Sequence, residues 1–332
     1  MKKLKLFIAI ILNLCLFNSL KAQVDPHFSQ YYAYPLWLNP ALTGVTDGDV
    51  RLNINAKEQW SGIDNGYKTG GVSLDFRPTD RVGVGFNVMN QAAGTAGYNY
   101  FAVYGSLGYG IPVSPDGDQK LHFGLQAGVI NRSFDPGKMQ FDDQYNPILG
   151  FDPTAPSFEN FATTSAMVFD ASAGVYYYDA SRDRKANLFG GVSIAHLTSP
   201  KDPFVEGGIG NRLPLRFTAH GGVLIKASDF IDITTHAIFI RQQQNQVSVL
   251  GAYSEFKMQD NKGLILGGMY RVNDSAIANV GYHIDGLLIG ISYDFNTSAL
   301  QTATSGRGGF ELSLSYVFGK HATGPGVVCP KF

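Results

Sequence analysis

From Val50 onward the chain alternates between apolar and polar or small residues. Val72, Leu74 and Phe76 share one face, with Ser73, Asp75 and Arg77 on the other. Val82, Val84, Phe86 and Val88 alternate with Gly83, Gly85 and Asn87. Leu121, Phe123, Leu125, Ala127 and Val129 alternate with His122, Gly124, Gln126 and Gly128. The clearest row is the last, where Phe310, Leu312, Leu314, Tyr316 and Phe318 alternate with Glu311, Ser313 and Ser315. A period of two with one apolar face marks half-buried strands. The same reading predicts strands near 50–60, 70–77, 81–90, 99–112, 119–132, 165–178, 186–196, 212–225, 230–240, 246–257, 263–271, 275–283, 286–295 and 309–318. No helical stripe of comparable length competes with them.

The connections sort by parity. The even ones are short and rich in turn residues, as in Arg77-Pro-Thr-Asp-Arg81, Ser114-Pro-Asp-Gly-Asp118 and Asp285-Gly286. The long ones, 133–164, 197–211 and 296–308, are all odd. A soluble sandwich has no reason to sort its loops. A bacterial membrane barrel has short periplasmic turns and long outer loops. The expected fold is therefore an all-β, transmembrane antiparallel β-barrel of about fourteen strands, with both wall ends in the periplasm.

One stretch breaks the alternation. Residues 23–44 carry Phe28, Tyr31, Tyr32, Tyr34, Leu36, Trp37, Leu38 and Leu42, interrupted by Pro26, Pro35 and Pro40. Linkers are polar and poor in aromatics, whereas burying each large apolar side chain is worth about 1.5–3 kcal/mol. The stretch is expected to insert in or under the periplasmic mouth as a plug. Phe28, Tyr31, Leu36, Trp37 and Leu38 would be buried there. Asp25, Ser29, Gln30 and Asn39 would satisfy turns and backbone donors.

Composition adds an address. Lys2, Lys3 and Lys5 precede an apolar run over 6–17, and Asn-Ser-Leu-Lys-Ala ends at Ala22, the pattern of a secretory signal peptide cut before Gln23. Leu12-Asn-Leu-Cys15 is a poor lipoprotein box, because Leu14 is large and the apolar run continues past it. The expected organisation is a signal peptide over 1–22, a plug over 23–49, a barrel over 50–318 and a periplasmic tail over 319–332. Removing the leader's four lysines leaves 22 basic residues against 27 acidic ones, a formal charge of −5. That charge, without a basic patch, argues against nucleic acid as a partner. Cys329 is then the sole mature cysteine and has no internal disulfide partner. Charged residues make up 16% of the chain, under the roughly 25% usual in soluble domains, and Gly, Tyr and Phe are abundant. Both features suit a membrane barrel facing outer-membrane lipid.

No catalytic constellation emerges. An outer-membrane phospholipase needs a His and a Ser two apart on one strand face. Two residues on from His122, His220, His236 and His283 stand Gly124, Gly222, Ile238 and Asp285. His27-Phe28-Ser29 has the spacing but lies outside the wall and has no third member. Asp135, Asp142, Asp143 and Asp152 crowd the 133–164 loop, where either a solvated acidic surface or a Ca²⁺ site fits. The same loop carries Phe134, Phe141, Tyr145, Phe151, Phe158 and Phe161. Aromatics in that number suggest either a partner surface or self-packing. No cofactor is expected.

Asp25-Pro26-His27-Phe28-Ser29-Gln30-Tyr31, followed by Asn39-Pro40-Ala41 and Gly44, resembles the opening of the PorP/SprF family of type IX secretion system outer-membrane proteins. Gln59-Trp60 and the ending Cys329-Pro-Lys-Phe332 extend the resemblance along the mature chain. His27 and Tyr32 depart from the residues the family often has there, Gln and Met. The resemblance implies a barrel without enzymatic activity that helps export a secreted cargo or adhesin or holds it at the cell surface, in some members in support of gliding motility. Components of the translocon or of its periplasmic ring are further implied partners. The competing reading is a diffusion porin or solute transporter, which needs an open lumen with a charged constriction. A barrel enzyme is a third reading, and it lacks a site.

Overall fold

A computed structural model describes residues 25–60, 66–148, 150–161, 163–201, 212–258, 261–298, 301–304 and 306–319. The expected signal peptide over 1–22, with Cys15, and the expected tail from 320, with Cys329, lie outside the described residues.

Fourteen antiparallel strands close into a barrel. They are β1 (Val50–Gln59), β2 (Tyr67–Phe76), β3 (Val82–Ala93), β4 (Tyr98–Pro112), β5 (Gln119–Ser133), β6 (Ser165–Asp179) and β7 (Ala186–Ala195). The second half is β8 (Arg216–Lys226), β9 (Ile231–Gln242), β10 (Asn245–Met258), β11 (Lys262–Arg271), β12 (Ser275–Ile284), β13 (Leu287–Asn296) and β14 (Arg307–Phe318). Each strand pairs with its sequence neighbours. β1 closes the ring on β14, with Val50 opposite Phe318 and Lys57 opposite Glu311. Closure leaves no free strand edge.

The strands fall where alternation puts them, with shifts at the ends. The strand expected from 212 begins at Arg216 instead. Pro214 offers no N–H to a ladder, and Arg212 keeps only an isolated bridge to Lys201. The loop after β5 contains a two-residue hairpin, Tyr145–Asn146 with Gly150–Phe151, that alternation did not announce.

The two wall faces have opposite chemistry. Leu107, Leu125, Leu188 and Leu250 point outward and are exposed, as are Phe310 and Tyr316. Asn53, Asn55, Ser73, Asp75, Asn87, Asp294, Glu311 and Ser313 point inward and are buried. A protein that hides its polar face and bares its apolar one is solvated by lipid, not water. No helix among the described residues is long and apolar enough to cross a membrane, and the strands do the crossing.

Residues 25–49 run inside this wall. Three single turns organise them: a 3₁₀ turn at Tyr31–Ala33, an α turn at Pro35–Leu38 and a 3₁₀ turn at Pro40–Leu42. Pro35 and Pro40 do not merely interrupt structure; each opens a turn, where a missing N–H costs nothing. The wall makes room with glycine at the closest approaches. A side chain at Gly124 would collide with the backbone of Pro40 and Ala41, and one at Gly83 with that of Thr43. Gly44 has a φ of +76°, which turns the chain back toward β1 and favours glycine.

Candidate functional site

The lumen is filled, and the filling is anchored at three levels. At the short-turn end Arg51 and Asp75 form a buried pair at 2.9 Å. Arg51 also donates to the carbonyls of Val45 and Leu42, at 2.9 and 3.0 Å, while Asp75 accepts the N–H of Gly44 at 2.8 Å. Two wall charges thus satisfy plug backbone that no ladder reaches.

Midway, Asn39 Nδ2 donates to the carbonyl of Val175 at 3.1 Å and to that of Val192 at 3.3 Å, and its Oδ1 accepts Ala41 N–H at 3.0 Å. Thr43 donates to Ser106 at 2.9 Å, and Ser193 donates to the carbonyl of Leu38 at 3.0 Å. Tyr31 and Tyr32 pack edge-on against each other and against His236, and Tyr31 OH lies 2.5 Å from His236 Nδ1. Phe28 packs edge-on against Tyr34, whose hydroxyl donates to the wall carbonyl of Val88 at 2.7 Å and lies 3.0 Å from that of Val72.

At the long-loop end two charged clusters hold the tip. Glu311 accepts the N–H groups of Ser29 and Gln30, at 2.6 and 3.0 Å. Ser29 Oγ donates to Asp294 at 2.7 Å and accepts from Lys57 at 2.8 Å and Arg271 at 2.7 Å. Gln30 Nε2 donates to Ser292 at 3.2 Å, and its Oε1 accepts from Ser313 at 2.8 Å. Across the lumen, Asp25 meets His196, Arg216 and Gln242, and His196 reaches Asp170 with its other nitrogen at 2.9 Å. Trp37 lies under the Arg216 guanidinium, 5.1 Å from its ring centre, and donates to the carbonyl of Pro26 at 2.9 Å. Burial works against charge at both acid and base here. The charges of His196 and Arg216 nevertheless hold the Asp25 carboxyl well below the usual carboxylate range. Asp25 and Asp170 likewise lift His196 to about 9.

The signature residues Asp25, Pro26, Phe28, Ser29, Gln30, Tyr31, Leu36, Asn39, Pro40 and Gly44 are all buried, and Trp37 is half-buried. They are not confined to the short-turn end. The segment climbs the whole lumen from Gly48, beside Val317 and Gly319, to Asp25, beside the loop-side ends of β8 and β9. The expected roles of Asp25, Ser29 and Gln30 change as well. They bond chiefly to wall side chains, and Asn39 alone caps a turn of the segment. The wall partners Lys57, Arg271, Asp294 and Glu311 escaped the sequence reading of the site. Their one signal was charge at positions whose alternation faces inward.

The six loop aromatics divide. Phe134 and Phe141 pack on Phe161, at ring distances of 5.2 and 5.9 Å, and Tyr145 packs on Phe151 at 5.5 Å. Phe158 stands 89% exposed and Ile148 92% exposed, so the loop both self-packs and offers an apolar tip. Its carboxylates serve the loop itself: Asp143 accepts from Ser157 and Phe158 N–H, and Asp152 from Thr154. Among the described residues no three His, Cys, Asp or Glu side chains converge as metal ligands would.

A closed fourteen-strand barrel with a lipid-facing apolar wall and a polar, chain-filled lumen defines an outer-membrane β-barrel. The chain belongs to the family of type IX secretion system membrane proteins PorP/SprF, whose model matches residues 20–316. It is a membrane barrel of secretion and not a member of a known enzyme family. No curated protein matches the sequence significantly. Among solved structures it is similar to the toluene transporter TbuX of Ralstonia pickettii, with 12% identity and a TM-score of 0.53 over 86% of this chain and 93% of that one. The toluene transporter TodX of P. putida matches with 12% identity and a TM-score of 0.49 over 85% and 93%. At such identity the TbuX likeness is one of fold.

Proposed function

We propose that this protein is a plugged, non-enzymatic barrel that helps export a type IX cargo or adhesin, or retains it, by contacts at its outer loops. The observation that carries this reading is the filled lumen. A segment that is largely buried over residues 25–46 and bonded to wall charges at both ends occupies the lumen, which argues against a diffusion porin. With the lumen occupied, specificity falls to the outer surface, where Phe158 and Ile148 are the most exposed apolar groups of the long loop. In this reading the long loops face outward, the short turns face the periplasm, and a signal peptide is removed before Gln23. The amino terminus then emerges beside the outer loops. Translocon or periplasmic ring components would meet the short-turn end.

The test is co-purification from the native envelope, with and without residues 137–160. A folded, heat-modifiable barrel that no longer retains a secreted protein at the surface supports the proposal. Unchanged retention removes this loop from the mechanism, and a large steady conductance in planar bilayers overturns the plugged reading.

A further inference from the structure

Above the plug tip the barrel opens into a cavity of about 500 Å³, within the size range of small-molecule sites, roughly 300–1,000 Å³. Its wall combines two aromatic rings with carboxamide side chains. Trp60 and Tyr67 meet edge to face at 5.3 Å. Gln59, Gln91 and Asn273 line the same space. Of these, Gln91 donates to Thr69, whereas the carboxamides of Gln59 and Asn273 have no protein partner among the described residues. The floor is the plug itself, at Asp25, Pro26 and His27.

Charge narrows the ligand. Asp25 is committed to His196 and Arg216, and Arg271 to Asp274 and Asp294, at 2.8 and 3.1 Å. Burial, with Arg271 and Lys57 nearby, holds His27 down at about 3, so it is neutral at physiological pH. Among the described lining residues no unmatched charge awaits an ionic ligand. A hydrocarbon would strip water from the amides and return no hydrogen bond, a cost of about 1–3 kcal/mol for each group. A peptide binding by strand addition needs a free edge, and the closed wall has none. A ligand with hydroxyls around its rim and apolar C–H faces matches both halves of the lining. Each hydroxyl both donates and accepts, as each carboxamide does, and aromatic faces cover C–H surface.

We infer that the outer mouth of the barrel, between Trp60, Tyr67 and the Gln59 and Asn273 amides, is a binding site for a neutral saccharide. The inference goes beyond partner retention and does not depend on it. The sugar is either a free oligosaccharide or a chain carried by a protein.

Intrinsic fluorescence tests it, because the chain has only two tryptophans, Trp37 in the lumen and Trp60 in the cavity. The full-length barrel in detergent is titrated with maltotriose, cellotriose, mannotriose and triacetylchitotriose. At least one should change the emission saturably. Trp60→Phe should abolish the change, and Gln59→Ala with Asn273→Ala should weaken binding about tenfold or more, in proteins that retain heat-modifiability. Ribonuclease B, which carries mannose chains, compared with unglycosylated ribonuclease A, separates a protein-borne chain from a free one. Absence of binding to all four trisaccharides and to ribonuclease B overturns the inference. So does binding that survives both sets of substitutions, or equal binding of both ribonucleases. Loss of surface retention in the 137–160 deletion with sugar binding intact bears on the loop alone.

Discussion

Glu311 of the last strand accepts the backbone N–H of Ser29 at 2.6 Å, and with its other oxygen that of Gln30 at 3.0 Å. A wall carboxylate thereby does for the plug what a neighbouring strand would do in a sheet. Glu311→Ala leaves two buried N–H groups unmet, at about 1–3 kcal/mol each, while the ladder that closes β14 on β1 stays intact. The expected outcome is a folded wall with a loosened tip. It is read as faster labelling of a cysteine placed at Ser29 and as raised conductance, with heat-modifiability unchanged. Labelling as slow as in the parent would mean that Glu311 is not an anchor.

The two faces of β14 should fail in different ways. Leu312 faces outward, and Arg at the bilayer midplane costs about 2–4 kcal/mol, so Leu312→Arg should lower the yield of assembled barrel. Ser313 faces a lumen that holds protein, not water, and donates to Gln30 at 2.8 Å. Ser313→Arg should therefore spare assembly and expel the plug. Equal loss of assembled barrel from both substitutions would place the register one residue off.

Leu36 is fully buried and Trp37 packs under Arg216. Leu36→Asp with Trp37→Ala should release the segment without opening the wall. Protease added from the periplasmic side should then cut between residues 25 and 44, whereas the parent resists. Ready cleavage of the parent, with conductance and partner binding unchanged by the cut, would reduce the segment to a leader for β1.

The Asp25–His196 contact makes the tip sensitive to pH. Asp25 is depressed from its ordinary 3.8, so its contribution is present above that value and fades as pH falls through the lowered one. His196 is raised from 6.5 to about 9, so its contribution is complete below 6.5 and is lost as pH rises through about 9. The latch is fullest between about pH 4 and 6.5. Labelling of a cysteine at Pro26 should accelerate from pH 7.5 to 9.5, and His196→Gln should flatten that rise. A pH-independent labelling rate in the parent would remove the latch.

At the outer surface Phe158→Ser with Ile148→Ser should weaken partner retention without disturbing the Phe134–Phe161 contact inside the loop. Retention on whole cells, compared with the 137–160 deletion, is the measurement. Full retention in the double variant would shift the interface away from this tip.

The wall was legible because alternation is local. A period of two assigns Leu312 and Glu311 to opposite faces without knowledge of any other strand, and loop parity orders the ends. That the aromatic stretch is buried was also legible, since Leu36 and Trp37 cannot stay in water at no cost. Its depth was not. Whether Asp25 stops at the near mouth or climbs to the far one depends on where Arg216, His196 and Gln242 converge, and these come from three separate parts of the chain. The partners of Ser29 likewise lie up to 282 residues away, at inward positions that the period marks but cannot pair. Only closure of the barrel brings Lys57, Arg271, Asp294 and Glu311 around one point, because a sequence gives the face of each strand and the ring alone sets which faces meet across the lumen.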